Sequence, residues 1–268
     1  MNCTLRLATL LTILFTVQGT LGDYGNLHFE TEDIKPIIEI DDDIEEIEDD
    51  APKTPIALDI SREIPTMITT TNIPGTLYYI VEPEYYDTHR IGEVKDDGET
   101  LSQDHEMNIE RIVSTYAKGD GTKLVRIKDF YPKDDGNLAL ELVELVKKPG
   151  SINYVPLVRH PVEVDVLTQE STSTVRVQGN LRSQKIYRVV AKMKDDAYIG
   201  VVKYGGEIVH EALSNDILAR NVTFNVLKQP TILVKTYMKN GVCIHSKYQS
   251  SDYNRRFELV HEETRSYT

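Results

Sequence analysis

This sequence predicts an all-β protein with minor α: two tandem small domains, each a β-sandwich or open barrel, behind a disordered acidic segment. Three observations carry that prediction. Short stretches rich in Val, Ile, Thr and Tyr recur along most of the chain. Turn chemistry separates them at roughly 8–12-residue spacing, the signature of small antiparallel folds. The pattern is also written twice. Ile91-Gly-Glu-Val-Lys-Asp-Asp-Gly-Glu-Thr-Leu101 aligns without a gap on Ile199-Gly-Val-Val-Lys-Tyr-Gly-Gly-Glu-Ile-Val209, at an offset of 108 and with six of eleven positions identical. Leu58-Asp59-Ile60 answers to Val164-Asp165-Val166, Leu77–Val81 to Ile186–Val190, and Leu124–Ile127 to Leu233–Thr236, at offsets of 106, 109 and 109. Four matches in one order at nearly constant offset read as an internal duplication.

The chain begins as a secretory signal would. Arg6 is the basic part, Leu7 to Val17 form an apolar run of eleven, and Gly19 and Gly22 are small residues suited to cleavage. Eleven residues span only about 16 Å as a helix, about half the hydrocarbon core of a membrane. Residues 1–22 are therefore expected to be removed, leaving no transmembrane segment and Asp23 at the mature N-terminus. The end, Arg265-Ser-Tyr-Thr268, lacks the hydrophobic tail of a lipid-anchor signal.

Residues 23–56 hold the charge. The chain carries −13 overall, and Asp23–Asp50 holds thirteen acids against Lys35, a net of −12. Such a segment cannot bury enough apolar surface to offset the entropy of ordering, so it is expected to be disordered. Ile34, Ile37, Ile38, Ile40, Ile44 and Ile47 add a second reading, a short docking motif for a basic partner groove. The Asp run lacks the alternating ligands and glycine of an EF-hand loop.

Residues 57–147 form the first expected domain. Its strands fall at 57–60, 67–73, 77–81, 89–94, 109–116, 123–130 and 138–146, with turns at Pro74-Gly75, Asp96-Asp97-Gly98, Gly119-Asp120-Gly121 and Asp134–Asn137. Leu138–Lys147 is apolar on both alternating faces, so periodicity leaves helix and strand open there. Residues 148–161, opening on Lys148-Pro149-Gly150, read as a linker. Residues 162–263 repeat the pattern, with turns at Gly179-Asn180, Asp195-Asp196, Gly205-Gly206 and Asn240-Gly241. Glu211–Ala219 is good helix material for one to three turns. Residues 264–268 are a tail.

The repeated elements are a Leu/Val-Asp-Ile/Val start, an aromatic strand, Val-Lys-x-x-Gly-Glu-x-Leu/Val and a closing β pair. Together they resemble the FAINT repeat, a domain found many times over in secreted proteins of the parasite Theileria. The plan is also similar: signal peptide, low-complexity segment, tandem repeats. The resemblance covers residues 57 to about 261. The family often carries an Ile-Trp pair just after the repeated glycine; Val209-His210 and Thr100-Leu101 stand there, and the chain has no Trp. It therefore resembles a divergent member. The family implies secretion, with the host-cell cytoplasm or the parasite surface as destinations, and no enzymatic chemistry.

The residues agree with a non-enzymatic reading. No Gly-x-Ser-x-Gly elbow, phosphate-cradling loop, His-Glu-x-x-His or Cys-x-x-Cys occurs, so no catalytic, cofactor-binding or metal residues are expected. In Glu207-Ile-Val-His210-Glu211, strand alternation puts His210 opposite Glu207 and Glu211. The seven histidines are scattered, and most are expected to face solvent. Cys3 lies in the signal, which leaves Cys243 without an intramolecular disulfide partner; with His245 it shares one strand face, the default being a buried strand cysteine. Gly98 and Gly206 are expected to supply left-handed turns, and Lys95 and Lys203 to pair across the strand with Glu99 and Glu207. Asn221-Val-Thr223 is a glycosylation sequon inside an expected strand. The longest basic groups are Lys147-Lys148 and Arg255-Arg256, with no basic stripe, so nucleic acid is not an expected partner. The expected function is a secreted protein that engages a host protein; the alternative is a structural or surface-coat protein that self-associates or is retained at the parasite surface.

Overall fold

A computed structural model describes residues 52–134, 136–180, 184–226, 229–250 and 256–267. The expected signal and nearly all of the acidic segment lie outside the described residues. Pro55–Thr268 form one compact unit that contains both repeats.

Repeat 1 contains β1 (Thr54–Asp59), β2 (Ile68–Ile73), β3 (Thr76–Val81), β4 (His89–Asp96), β5 (Glu99–Ser102), β6 (Glu110–Ala117), β7 (Lys123–Pro132), β8 (Leu138–Lys147) and β9 (Val155–Pro156). Repeat 2 contains β10 (His160–Asp165), β11 (Val175–Asn180), β12 (Gln184–Val189), β13 (Ala197–Tyr204), β14 (Glu207–Glu211), β15 (Ile217–Asn225), β16 (Thr231–Met238), β17 (Val242–Ser250) and β18 (Phe257–Ser266). Each repeat folds the same way. The first, fourth and fifth strands make a three-stranded sheet, and the other six make a second sheet in the order β2-β3-β6-β7-β8-β9 or β11-β12-β15-β16-β17-β18. A 3₁₀ turn precedes β4 and β13, at Pro83–Tyr85 and Ala191–Met193. Among the described residues these turns are the only helical elements, so the all-β class with minor helix holds.

The core of each repeat lies between its two sheets. In repeat 1, Ile56, Leu58, Ile91 and Val94 from the small sheet meet Tyr79, Val81, Val113, Val125 and Ile127 from the large one. Val164, Ile199 and Val202 meet Tyr187, Val222, Phe224, Ile232 and Val234 in repeat 2. This is sandwich packing, driven by burial of the alternating apolar face of each strand.

Strand pairing refines the duplication. Tyr79 and Ile127 flank Val113, as Tyr187 and Val234 flank Val222. Tyr79 is thus the counterpart of Tyr187, one residue from the sequence match that placed Tyr78 there. A one-residue slip reverses faces, and Tyr79 is the buried one of the pair. Along β7 and β16 the sequence match is off by two, which leaves faces unchanged.

Several expected boundaries move. β1 opens at Thr54 and buries Ile56, before the expected start at Ala57. The expected linker contributes β9, half-buried Tyr154, and buried Leu157 and Arg159, and β18 runs into the expected tail. Glu211–Ala219 is the end of β14, a turn and the start of β15, with no helix: sheet pairing overrides its helical propensity. Leu138–Lys147 is a strand covered on both faces. Val143 and Leu145 pack on the repeat 1 core, while Leu140 and Val146 lie under Tyr267 and Leu157. Strands buried on both sides lose alternation, which is why periodicity left this segment open.

Candidate functional site

The repeated sequence motifs have structural jobs. Asp59 ends β1 and accepts hydrogen bonds from the Ser61 and Asp97 amides at 3.1 and 3.2 Å. Asp165 ends β10 and accepts from the Leu167, Gly205 and Gly206 amides at 3.0, 3.1 and 2.7 Å. Burial pushes both carboxyls up, but hydrogen bonds outweigh it and hold them below the usual range, the Ser61 hydroxyl first among them for Asp59 and the backbone amides for Asp165. The turns they clasp carry two successive positive φ angles, Asp97 and Gly98 at 51° and 81°, Gly205 and Gly206 at 61° and 88°. The left-handed glycines expected at 98 and 206 are thus in place, as a two-residue hairpin requires.

The glycine nearer the start of the motif serves close approach. A Cβ on Gly92 would lie 2.7 Å from the Pro55 Cβ, and one on Gly200 would lie 2.3 Å from the Pro161 Cβ. Only glycine lets β1 and β10 press against β4 and β13 at that level. The expected Lys–Glu pairs form differently. Lys95 pairs with Glu93 at 2.7 Å and Lys203 with Glu163, while Glu99 accepts the Tyr154 amide at 2.9 Å and lies 3.8 Å from Lys147. The registers place Thr100 and Ile208 opposite the two lysines, because each two-residue turn pairs Asp96 with Glu99 and Tyr204 with Glu207.

A buried arginine in each repeat escaped the sequence reading. Arg111 on β6 donates to both oxygens of Asp129 at 2.5 and 2.9 Å, and to the carbonyls of Gly92 and Gln103. Arg220 holds the same position on β15. Its Nη1 donates to the carbonyls of Ile199, Gly200 and Ala212 at 2.8, 3.0 and 3.2 Å, and its Nε to Thr236 Oγ1 at 2.8 Å. Thr236 stands where repeat 1 has Asp129, each opposite its arginine in the ladder. Arg220 Nη2 is buried with no hydrogen-bond partner among the described residues. Burial pulls this guanidinium down to about 10.

His210 turns into the same interior, against the expectation that most histidines face solvent. Its Nδ1 lies 2.7 Å from Tyr248 Oη, and its Nε2 is buried without a partner among the described residues. Burial and the nearby Arg220 charge pull its pKa down to about 4. Cys243 is buried, and His245 lies 3.5 Å from Glu263. Among the described residues no group of three or more His, Cys, Asp or Glu converges as a metal site would need. Asn221 sits half-buried in a strand flanked on both sides.

Between the repeats lies a charged clasp. Glu144 on β8 accepts two bonds from Arg159 at 2.6 and 2.7 Å and one from Arg126 at 2.9 Å, with Lys239 at 3.8 Å. Arg126 also donates to Asp195, and Arg159 Nε to the Lys194 carbonyl at 2.7 Å. Burial alone would raise the Glu144 carboxyl, but Arg159 and Arg126 bring it to about 2. The clasp fastens the linker and the β12–β13 turn to the outer face of the large sheet of repeat 1.

One surface stands apart from this internal bonding. β18 is the outer strand of its sheet and ten residues long, and Leu259 and Val260 on it are 51 % and 52 % exposed. The equivalent edge of repeat 1 is the two-residue β9, which carries Pro156. Short edges and prolines block strand addition, and long ones permit it. No helix among the described residues is long and apolar enough to cross a membrane. Comparison with family models, curated proteins and solved structures found no match for this chain.

Proposed function

We propose that this chain is a secreted, non-enzymatic interaction protein of the FAINT-repeat kind, which engages a host protein through its second repeat. The observation that carries the reading is the β18 edge. A ten-residue strand that pairs with β17 on one side and is outermost in its sheet among the described residues, with two half-exposed apolar side chains, can accept an extended partner segment, main-chain hydrogen bonds giving affinity and alternate side chains giving selectivity. The resemblance to the FAINT repeat supports secretion and a host partner. Asp59, Asp165, Arg111, Arg220 and Glu144 support a structural, non-catalytic role for the repeated motifs, since they are engaged in turn, layer or repeat contacts.

The test is affinity capture from host lysate with three proteins: the chain from Asp23, the chain from residue 52, and the chain from Asp23 carrying Leu259→Lys and Val260→Lys. A partner held by the first two and lost from the third is the expected result. A partner lost only when residues 23–51 are removed would move the function to the acidic segment. No partner for any of the three, with concentration-dependent self-association that the lysines abolish, would replace this reading with the surface-coat alternative.

A further inference from the structure

Repeat 1 contains a cleft of about 180 Å³ where β4 ends, walled by Tyr79, Tyr116 and Tyr154, with Asp96, Thr115 and Lys123 among its polar lining. Repeat 2 fills the same place. Tyr204 ends β13 as Asp96 ends β4, and the two face Glu207 and Glu99. Phe224 lies opposite Ile232 as Thr115 lies opposite Val125. Leu167 follows β10 by two residues, as Ser61 follows β1 and reaches the cleft. The Tyr204 ring rests on Phe224 and Phe257 with centroids 5.8 and 4.7 Å apart, and Leu167 packs on the same cluster. Three apolar plugs in one repeat are therefore Asp96, Thr115 and Ser61 in the other, and the space they free is the cleft.

Its chemistry has one sign. The Asp96 side chain is only 5 % exposed and accepts a hydrogen bond from Tyr154 Oη at 2.7 Å. Its nearest cation is Lys123 Nζ at 3.9 Å, on a side chain 61 % exposed at the mouth. A buried carboxylate with so loose a partner favours a closer cation. Aromatic faces add attraction for an ammonium group. The volume has room for about six water-sized groups, enough for a short alkylamine.

We propose that this cleft binds a small organic ammonium ion, its charge on Asp96 and its alkyl part against the three tyrosines. The ion can be a free amine or the end of a lysine side chain. The site stands independently of the β18 edge.

The experiment is titration of the folded chain from Asp23 with n-butylammonium, with n-butanol as neutral isostere, read by tyrosine ring resonances and calorimetry. Saturable binding of the amine and at least about tenfold weaker binding of the alcohol is expected, since a charge-assisted contact exceeds a neutral one. Asp96→Asn should weaken amine binding at least about tenfold, and Lys123→Ala should strengthen it about 2–5-fold by removing a competitor. Thr115→Phe, which installs the repeat 2 plug, should abolish binding and leave the thermal midpoint unchanged or higher. A short acetylated Gly-Lys-Gly amide separates the sources: binding admits a lysine side chain, and exclusion leaves free amines. Absence of saturable amine binding, equal binding of the alcohol, or unaltered binding by Thr115→Phe would overturn the site.

Discussion

Two buried arginines occupy one position in two copies of one fold, and they are balanced differently. In repeat 1, Arg111 ties β6 to the small sheet through carbonyls and meets a full carboxylate, Asp129, with Asn108 adding a bond to that carboxylate at 2.9 Å. In repeat 2, Arg220 makes the same ties to the small sheet, but it meets Thr236, a hydroxyl. The carbonyl contacts are shared because they fix how the two layers of the sandwich sit. The counter-charge differs, so layer docking is the constant requirement and charge balance is what the copies vary. The consequence is an interior of repeat 2 that carries an uncompensated positive charge beside His210.

Removing each arginine should separate the two sites most clearly. Arg111→Met leaves Asp129 buried and unpaired, which should cost about 3–5 kcal/mol. Arg220→Met leaves carbonyls and a hydroxyl without a donor but also removes a buried charge, so about 1–2 kcal/mol is expected. Urea unfolding followed by tyrosine fluorescence measures both. Equal losses would show that the two sites are balanced alike after all.

Acid should act on repeat 2 first. The folded His210 pKa of about 4 lies below its ordinary value of 6.5. The unfolded chain therefore binds the extra proton more readily, and stability falls as pH drops from about 6.5 to 4, by about 3 kcal/mol. Glu144 acts lower. Its folded value of about 2 lies below its ordinary value of 4.5, so its contribution is present above about 4.5 and is lost as pH falls towards 2. Denaturant midpoints measured from pH 7 to 3 should show the upper phase vanish in His210→Asn, while the lower phase persists. An unchanged upper phase would show that His210 is not the group titrating.

Much of the architecture is legible in the residues, because strands and tight hairpins act locally. The Asp-Gly and Gly-Gly turns, the paired Asp59 and Asp165 and the twofold pattern all announce themselves. The arginines do not. Arg111 follows Glu110 and Arg220 precedes Asn221, so each reads as a surface cation; only extension of the duplication through β6 and β15, at an offset of 109, would have set them side by side. Leu138–Lys147 resisted because its outer face is covered by the other repeat, a contact no local pattern records. The cleft at Asp96 is hidden for a related reason: it appears only when Asp96, Thr115 and Ser61 are compared with residues that lie far along the chain in repeat 2. The β18 edge is harder to read, because the segment 257–266 alternates weakly and nothing local shows that no strand lies beyond it.

The smallest effect is expected where the counter-charge of repeat 1 is transferred to repeat 2. Thr236→Asp gives repeat 2 the carboxylate that repeat 1 already has, opposite Arg220 and in the same register. Aspartate and threonine have nearly the same volume, so the change puts a carboxylate oxygen where the hydroxyl already meets Arg220 Nε at 2.8 Å without overpacking the site. Burying a second charge costs desolvation, and the ion pair returns somewhat more because the guanidinium is already buried and lacks a partner at Nη2. A net gain of about 1 kcal/mol is expected, read as a higher urea midpoint at pH 7 with unchanged slope. The same substitution should raise the His210 pKa, since the new carboxylate offsets the Arg220 charge that helps depress it, and NMR titration of the imidazole reports that directly. A stabilised protein with an upward-shifted His210 would show that the two repeats differ at this site by charge balance alone. Destabilisation would show instead that repeat 2 has repacked around the hydroxyl, so that Thr236 is a fixed feature of its interior.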